Sequence, residues 1–234
     1  MKNIVIGGAS GAVGTGIVRH CLAQGHRVVA VVRDEAKKSH LQAGLGEAGR
    51  FPGELQFVAG AYEDEAGIAH LQAQLERLGP IDIAIASLGG WYQGPPLAGL
   101  PLADWHTVVN NSLTSHFRFA KVLMPLLEKA RGGAYVMING GAAEFAAPHS
   151  GVISVMAAAQ KMMGQVLHQE ARAHGVRVFG VAAFAHIKTG RSAGVPGLWL
   201  SAEDIAAYVL NLVENPTPAT EHYWHKLQSS EDLP

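Results

Sequence analysis

Short apolar runs rich in β-branched residues recur along this chain, and helical patterns separate most of them. Runs of this kind are typical of strands that are buried on both faces of a sheet. They lie at 3–6, 27–32, 55–59, 81–86, 134–138 and 176–182. Strands that alternate with helical crossovers pair in parallel. We therefore predict an α/β fold, a doubly wound parallel sheet of about seven strands with helices on both faces.

The connecting segments complete this layout. Helical patterns cover 13–24, 65–78, 104–130 and 152–174, with a shorter helix near 35–42 and a last edge strand at 221–226. Ser201, which two acidic residues follow closely, is typical of a capped helix start. The preceding segment, 184–200, carries Gly, Pro and Thr, and we predict that it forms a substrate or lid loop. One domain over 1–234 is the expected organisation.

The charge balance excludes several classes of partner. The chain has 18 basic and 19 acidic residues, a formal net charge of −1, and the charges are scattered. The sequence therefore indicates no basic surface of the kind that binds nucleic acid or an anionic membrane. A small-molecule substrate is the expected partner. The lone cysteine, Cys21, fits a reducing compartment, and no apolar run reaches membrane-spanning length. These features predict a cytoplasmic protein.

A glycine-rich loop follows the first predicted strand and precedes a helix. In this loop Gly8, Gly11 and Gly14 are spaced as G-x-x-G-x-x-G. Glycines at such a junction permit a tight turn and let the backbone approach a pyrophosphate, while the helix N-terminus supplies amide donors. A merely flexible loop is the alternative. We predict a Rossmann-type NAD(P) site whose loop binds through Gly8, Ser10, Gly11, Ala12, Val13 and Gly14.

The end of the second predicted strand indicates which dinucleotide binds. In NAD-preferring versions of this fold an acidic residue here accepts hydrogen bonds from the adenosine ribose, but this chain has Val32. Arg33 follows, and a planar guanidinium suits the 2′-phosphate of NADP. The sequence therefore favours NADP(H) over NAD(H), with Arg33 as a cofactor ligand. A solvated Arg33 paired with Asp34 is the alternative.

The chain resembles the short-chain dehydrogenase/reductase family along nearly its whole length. The shared landmarks are the glycine loop, Ile81-Asp82-Ile83, Gly89, Asp104-Trp105, Leu123-Met124-Pro125, Gly132-Gly133 and Asp204-Ile205-Ala206. The resemblance implies an oxidoreductase with a nicotinamide cofactor. It also implies that Ser87 and Gly89, after the fourth strand, and Thr189, after the sixth, contact that cofactor.

The same resemblance places unusual residues at the positions that carry the family's chemistry. Family members have a Tyr and a Lys four residues apart on the helix after the fifth strand, a Ser ending that strand and an Asn on the preceding long helix. The corresponding residues here are Ile153, Ala157, Gly140 and Ser112. No tyrosine of this chain has a lysine four residues later. The resemblance therefore implies a divergent member without the usual proton donor.

Side chains on the predicted loops at the carboxyl edge of the sheet are candidates for that role. Tyr92, after the fourth strand, and His149, after the fifth, are residue types that donate protons once their pKa is tuned. The plainer interpretation of each is an ordinary loop residue. A pocket lined by Trp91, Tyr92, Phe145 and Trp199 would favour a sizeable apolar substrate. The 12 histidines show no metal-ligand spacing, so no metal site is predicted.

The helix after the fifth strand also bears on assembly. It is apolar on more than one face over 152–164, which is typical of full burial, either inside the subunit or between subunits. Lys161 lies one turn beyond Ala157, which places it at the outer end of the helix or at a subunit contact. We predict a homodimer or homotetramer with this helix near its axis.

Two functions remain open at this point. One is an NADP(H)-dependent oxidoreductase that acts on a small organic substrate by a non-standard mechanism. It would use a substitute acid, or a substrate that needs little proton transfer, such as a protonated imine. The other is a non-catalytic NADP(H)-binding protein, a sensor or a partner-binding module, since fold alone does not decide activity. The oxidoreductase is the favoured interpretation.

Overall fold

Strand and helix alternate along the chain in the computed structural model, which describes residues 1–46, 50–60, 62–130, 132–188 and 199–229. Seven strands belong to the main sheet. They are β1 (Asn3–Gly7), β2 (Arg27–Val32), β3 (Glu54–Ala59), β4 (Ile83–Ala86), β5 (Ala134–Gly140), β6 (Arg177–Ala183) and β9 (Trp224–Leu227). The helices are α1 (Ala12–Ala23), α2 (Glu35–Leu45), α3 (Glu65–Glu76), α4 (Leu102–Val109), α5 (Ser115–Lys129), α6 (Gly151–Ala171) and α7 (Ala202–Glu214).

The strand order is β3-β2-β1-β4-β5-β6-β9, and every neighbouring pair is parallel. The chain moves outward on one side of β1 and then returns to continue on the other side from β4. This reversal creates a crevice at the carboxyl ends of β1 and β4, where doubly wound folds bind their ligands. The predicted fold class, a Rossmann-type parallel sheet, is confirmed.

Two apolar layers cover the sheet. On β1, Ile4 and Ile6 pack into one layer and Val5 into the other, because successive side chains of a strand point to opposite faces. Helices α1, α2 and α7 close the first layer, and α3, α5 and α6 close the second. Cys21 is fully buried in the first layer, where it packs as a small core residue.

Several element boundaries differ from the sequence predictions. The long helix predicted at 104–130 begins at Leu102 and is interrupted by a π-helical turn, Asn110–Thr114. The last strand lies at Trp224–Leu227 rather than at 221–226. The capped start of α7 is confirmed, since Ser201 and Asp204 form a reciprocal capping box.

A small parallel ribbon follows β6. It pairs β7 (His186–Ile187) with β8 (Trp199–Leu200) and brackets the segment predicted as a lid. Residues 189–198, the greater part of that segment, lie outside the described residues, as does Thr189. Across the residues that the structure describes, no helix has the length and apolar character required to cross a membrane.

Candidate dinucleotide-binding site

A cavity of about 400 Å³ opens at the carboxyl ends of β1, β2 and β4. Six of the predicted cofactor residues line it, namely Gly8, Ser10, Gly11, Arg33, Ser87 and Gly89. The other lining residues are Val31, Val32, Lys37, Tyr62, Leu88, Gly90, Trp91, Tyr92, Thr107, Val108, Asn111, Ser112 and Ser115. Residues far apart in the sequence therefore meet in one crevice at the point where strand order reverses.

In the glycine loop, two glycines lie directly against backbone carbonyl oxygens. Gly8 has φ +75°, and a Cβ at that position would lie 1.9 Å from the carbonyl oxygen of Ser87. A Cβ on Gly14 would lie 2.1 Å from the carbonyl oxygen of Gly8. The Gly11 amide donates to the same Gly8 oxygen at 2.9 Å, which tightens the turn. Side chains at Gly8 and Gly14 are sterically excluded, so the loop is shaped by packing and is not merely flexible.

The remaining predicted loop residues, Ala12, Val13 and Gly14, form the first turn of α1, which begins at Ala12. The first amides of a helix lack intrahelical partners and, with the helix dipole, favour an anionic group. Gly11 is the N-cap of this helix and makes no side-chain cap bond. The junction of loop and helix therefore fits a pyrophosphate.

The rim of the cavity near β2 is basic. Arg33 and Lys37 both line it. Asp34 is occupied elsewhere, because its side chain caps α2 by accepting a hydrogen bond from the Lys37 backbone amide at 2.7 Å. Within the described ranges, no ion pair involves Arg33. The alternative in which Arg33 pairs with Asp34 is therefore not what the structure has.

Tyr62 forms part of the same rim. Burial raises the pKa of its phenol to about 12, although the positive charges of Arg33 and Arg118 act in the opposite direction. The ring stays neutral at physiological pH and offers an aromatic wall next to the basic pair. Sequence reasoning missed this residue, because nothing in its neighbourhood distinguishes it from an ordinary tyrosine after a strand.

The wall opposite the glycine loop consists of Ser87–Gly90, which follows β4. Its backbone is fixed from behind by His116, a fully buried side chain on α5 whose Nε2 lies 3.2 Å from the Leu88 carbonyl oxygen. Burial lowers the pKa of His116 to about 4, so the imidazole is neutral and donates through Nε2. This contact joins residues 28 positions apart, and no local sequence pattern indicates it.

The π-helical turn Asn110–Thr114 brings the Ser112 hydroxyl against the wall Ser87–Gly90. The Ser115 hydroxyl lies 2.7 Å from the Asn111 carbonyl oxygen and 2.9 Å from that of Ser112, and so supports backbone groups at the irregular turn. A Cβ on Gly89, whose φ is +101°, would lie 3.2 Å from the Ser112 hydroxyl oxygen. Single π-helical turns are frequent at functional sites. This one places Ser112 and Asn111 at the cavity.

The residues aligned with the family's catalytic Tyr and Lys lie in apolar surroundings. Ile153 packs against a small cluster of Val108, Val152 and Met156. Ala157 is buried, and its carbonyl oxygen accepts a hydrogen bond from Asn139 Nδ2 at 3.0 Å. Neither side chain can donate a proton.

Gly140, aligned with the family's Ser, is the last residue of β5. Its amide donates to Asn139 Oδ1 at 2.7 Å. The nearest atom to a Cβ on Gly140 would be the Ala183 carbonyl oxygen at 3.8 Å, which is an ordinary contact distance. The position therefore has room for a larger side chain.

Only one of the two candidate proton donors lines the cavity. Tyr92 does, and its hydroxyl donates to Asp104 Oδ2 at 2.9 Å. This hydrogen bond to a carboxylate raises the pKa of Tyr92, which makes the phenol a weaker acid at neutral pH. His149 is instead an exposed loop residue with φ 62°, and its carbonyl oxygen accepts from the Gly94 amide at 2.8 Å. It ties two loops together outside the cavity lining.

The four aromatic residues whose shared pocket would favour a sizeable apolar substrate do not line this cavity together. Trp91 and Tyr92 lie at the cavity. Phe145 packs edge-on against Phe184, with ring centroids 5.2 Å apart. Trp199 packs against His186 at 5.0 Å. Phe145 and Trp199 each pack against another aromatic ring and are not among the residues that line the cavity.

Lys161 belongs to a charged cluster within the subunit and lies in the middle of α6, not at its outer end. Its placement at a subunit contact stays a prediction. Its Nζ donates to Glu144 Oε1 at 2.7 Å, and Glu144 also accepts from Trp224 Nε1 at 2.9 Å and pairs with Lys226. The two lysines hold the pKa of Glu144 at about 2. The cluster fastens the β5–α6 loop to α6 and β9.

Helix α6 is not fully buried within one subunit, so its burial between subunits stays a prediction. Its inner face contains Val152, Met156 and Gly164, but three apolar side chains remain exposed: Val155 at 39%, Met162 at 60% and Val166 at 46%. Phe117 on α5, which contacts α6, is 55% exposed. Among the described residues, no group of three or more His, Cys, Asp or Glu side chains is arranged to hold a metal ion.

The sheet order, the switch-point cavity and the glycine loop define a Rossmann-type nucleotide-binding protein. The family model for short chain dehydrogenases matches residues 2–193, and the chain belongs to that family. Retinol dehydrogenase 8 from Bos taurus is 28% identical over 141 residues, which are 59% of this chain and 44% of that protein. The matched stretch thus spans less than half of that relative.

Solved structures of similar proteins share the fold. A short-chain type dehydrogenase/reductase from Mycobacterium ulcerans has a TM-score of 0.84 at 18% identity, over 98% of this chain and 89% of that one. A metagenomic short-chain oxidoreductase in complex with NADP has a TM-score of 0.76 at 22% identity, over 97% and 95%. At these identities the likeness concerns the fold alone.

Proposed function

We propose that this protein is an NADP(H)-dependent oxidoreductase that acts on a small organic substrate without the family's Tyr-Lys pair. The observation that carries the proposal is the cavity in which the glycine loop, the basic pair Arg33 and Lys37, and the wall Ser87–Gly90 meet. The steric exclusion of side chains at Gly8 and Gly14 fits a loop that cradles a pyrophosphate. The NADP complex of the metagenomic relative adds support.

In this proposal the cofactor lies along the cavity from the basic rim to the π-helical turn. The backbone amides of Gly8, Ser10 and Gly11 and of the first turn of α1, Ala12 to Gly14, hold the pyrophosphate. Arg33 and Lys37 hold the 2′-phosphate, and Tyr62 borders the adenine end. Ser87, Gly89 and Ser112 line the end nearest the π-helical turn. Thr189 remains a proposed contact.

The residues beside the reacting end determine which reactions are feasible. A bound nicotinamide would supply or accept hydride. Ile153 packs on Val108, which lines the cavity, so this side excludes water and offers no proton. Tyr92 keeps its proton directed at Asp104. Such surroundings favour a substrate that needs little proton transfer, such as a protonated imine or a polarised double bond.

A non-catalytic NADP(H)-binding protein is the second candidate function. The observation in its favour is the apolar packing of Ile153 and Ala157, which removes the usual chemistry while the cofactor cavity persists. Turnover separates the two. We expect the protein to oxidise NADPH, followed by absorbance, with cyclic imines and to show little activity with simple ketones. Tight NADPH binding without turnover of either substrate class would favour the binding protein.

Arg33→Ala is expected to weaken NADPH binding by roughly 10- to 100-fold, because a charge-assisted hydrogen bond contributes about 1.5–3 kcal/mol. The affinity for NADH should not change, since NADH has no 2′-phosphate. Calorimetric titration with both cofactors measures the difference. Lys38→Ala is the matched control, because Lys38 is a nearby cation on the following helix, α2, that pairs with Glu35 and does not line the cavity.

Two results would contradict this assignment of Arg33. One is equal affinity of the wild type for NADPH and NADH, and the other is an unchanged NADPH affinity in Arg33→Ala. Failure of the wild type to bind either cofactor would instead indicate that the chain has lost its cofactor, and the proposed function would then be wrong.

We also propose that the protein is a homodimer or homotetramer in which the exposed apolar face of α6 meets a second copy. Val155, Met162 and Val166 lie on one side of the helix, and burying them removes apolar surface from water. Met162→Glu should therefore shift the protein toward monomers in light scattering. Leu102→Glu, at an apolar residue on α4 that is 75% exposed, should not. A wild type that is monomeric at micromolar concentration would contradict the proposal.

A further inference from the structure

A second cleft opens at the opposite edge of the sheet, where the strands begin. Its volume is about 740 Å³, and it includes Lys2, before β1, Ile83, the first residue of β4, and Arg177, the first residue of β6. The apolar part of the lining is Ile83, Val176, Phe179 and Val213. Arg172 and Arg177 contribute two guanidinium groups. The cofactor cavity lies at the carboxyl ends of the strands, so the two sites do not overlap.

Both arginines have donor capacity to spare. Arg177 donates from Nη1 to the Val213 carbonyl oxygen at 2.9 Å, and its guanidinium lies 6.0 Å from the centroid of the Phe179 ring. A guanidinium has five N–H donors, so most of those on Arg177 are left over. In the described part of the chain, neither arginine forms an ion pair.

The environment of Arg177 makes the missing partner significant. Burial lowers the pKa of this guanidinium, which means that the charged group is partly withdrawn from water. A desolvated charge is costly unless an opposite charge or several hydrogen bonds compensate for it. The single carbonyl contact at the end of α7 compensates in part. An anion in the cleft would offset the rest of the desolvation cost of Arg177 by accepting paired N–H···O bonds from it.

The acidic side chains of the lining limit what that anion can be. Asp82 accepts from the Asn3 amide at 2.8 Å and lies 3.7 Å from Lys2 Nζ, and Glu214 lies 3.7 Å from His26 Nε2. Burial lowers the pKa of His26, so its neutral imidazole does not offset the charge of Glu214. Asp82, by contrast, has a cationic and an amide partner of its own. Glu221 is exposed and has no such partner among the described residues. It would repel a second negative charge, so the cleft favours a single one.

We propose that this cleft binds a small organic monoanion with an apolar body. The planar forks of Arg172 and Arg177 suit a carboxylate, which accepts two parallel hydrogen bonds. The apolar floor, with Phe179 beneath Arg177, would cover an aromatic or branched hydrocarbon part. The site is independent of the proposed oxidoreductase function, since none of its lining residues touches the cofactor cavity.

Calorimetric titration of the full chain with naphthoate tests the proposal. We expect one naphthoate per chain, with acetate much weaker because it leaves the apolar floor uncovered. Arg172→Ala and Arg177→Met should each weaken naphthoate binding by roughly 10- to 100-fold, as expected for a lost charge-assisted bond. Arg172 is exposed, and its side chain makes no hydrogen bond or ion pair within the described part of the chain, so its variant tests the site even if Arg177→Met fails to fold.

Three further measurements separate this site from its alternatives. Glu221→Gln should tighten naphthoate binding, because it removes a like charge from the rim. Saturating NADPH and the Arg33→Ala variant should leave naphthoate binding unchanged, since both act at the opposite edge. Naphthyl phosphate, with its larger charge, should bind more weakly than naphthoate. No naphthoate binding, full competition by NADPH, or undiminished binding in both arginine variants would overturn the proposal.

Discussion

Gly8→Ala is expected to abolish measurable NADPH binding and to destabilise the fold. The added methyl group would lie 1.9 Å from the carbonyl oxygen of Ser87, a backbone atom that cannot rotate away. The Ser87 amide is itself bonded to the Gly7 carbonyl oxygen at 3.0 Å, so the glycine loop and the opposite wall must separate to make room. We expect a loss on the order of 3 kcal/mol in the free energy of unfolding. Thermal unfolding and calorimetry with NADPH measure both effects.

Gly25→Ala is the matched control for this variant. Gly25 has φ +76°, nearly the value of Gly8, but a Cβ there meets no atom within 4 Å. It should therefore show only the cost of a left-handed conformation, roughly 1–2 kcal/mol, with NADPH binding intact. Wild-type NADPH affinity in a folded Gly8→Ala protein would mean that the loop does not hold the pyrophosphate.

The fold could be predicted because buried parallel strands leave a direct trace in the sequence. Strands covered on both faces, such as β2, require an apolar residue at nearly every position, and a run like this is hard to mistake. The ends of elements were less predictable. The helical pattern at 104–130 does not show the π-helical turn, because the turn is set by the packing of Ser112 near Gly89 and by the hydrogen bonds of Ser115, not by local periodicity.

The candidate site was predictable only where the backbone itself imposes a residue type. Gly8 and Gly14 are visible because no other residue fits beside a carbonyl oxygen at about 2 Å. The contact of His116 with Leu88 leaves no such trace, since many residue types could occupy a helix interior. The aromatic loop residues show the same limit. Their positions predict the correct edge of the sheet, but Phe145 pairs with Phe184 instead of facing the cavity.

The assignment of α6 shows why composition did not determine burial. Ala and Met occur around the whole helix, so the sequence did not show which face meets the sheet. In the structure Met156 is buried and Met162 is exposed, although both are methionines of one helix. The face of α6 that remains exposed is the one available to a second subunit. Packing within one chain does not determine whether that face is covered, so its burial in an oligomer is a proposal.

Combining Gly140→Ser, Ile153→Tyr and Ala157→Lys is expected to create or raise ketone reduction with NADPH. A positioned general acid contributes typically 10²–10⁴-fold, and an adjacent ammonium lowers the pKa of a phenol from about 10. The Ser side chain fits, because a Cβ at Gly140 meets nothing closer than 3.8 Å. Ile153 is partly exposed, so the larger ring of a Tyr can extend beyond the packed interior. Ala157 is buried, so the side chain of a Lys at that position must extend toward the cavity. Steady-state rates with simple ketones measure the gain.

Val155→Tyr combined with Ala159→Lys is the control, because it places the same pair, four residues apart, on a different face of α6, where Val155 is 39% exposed. That variant should not gain activity. A gain in the first variant alone would show that the cofactor and cleft are intact and that the missing proton donor limits ketone reduction. If instead the wild type already reduces simple ketones at rates typical of the family, and Tyr92→Phe and His149→Ala both leave those rates unchanged, a different residue supplies the proton and our alignment of Ile153 and Ala157 is wrong.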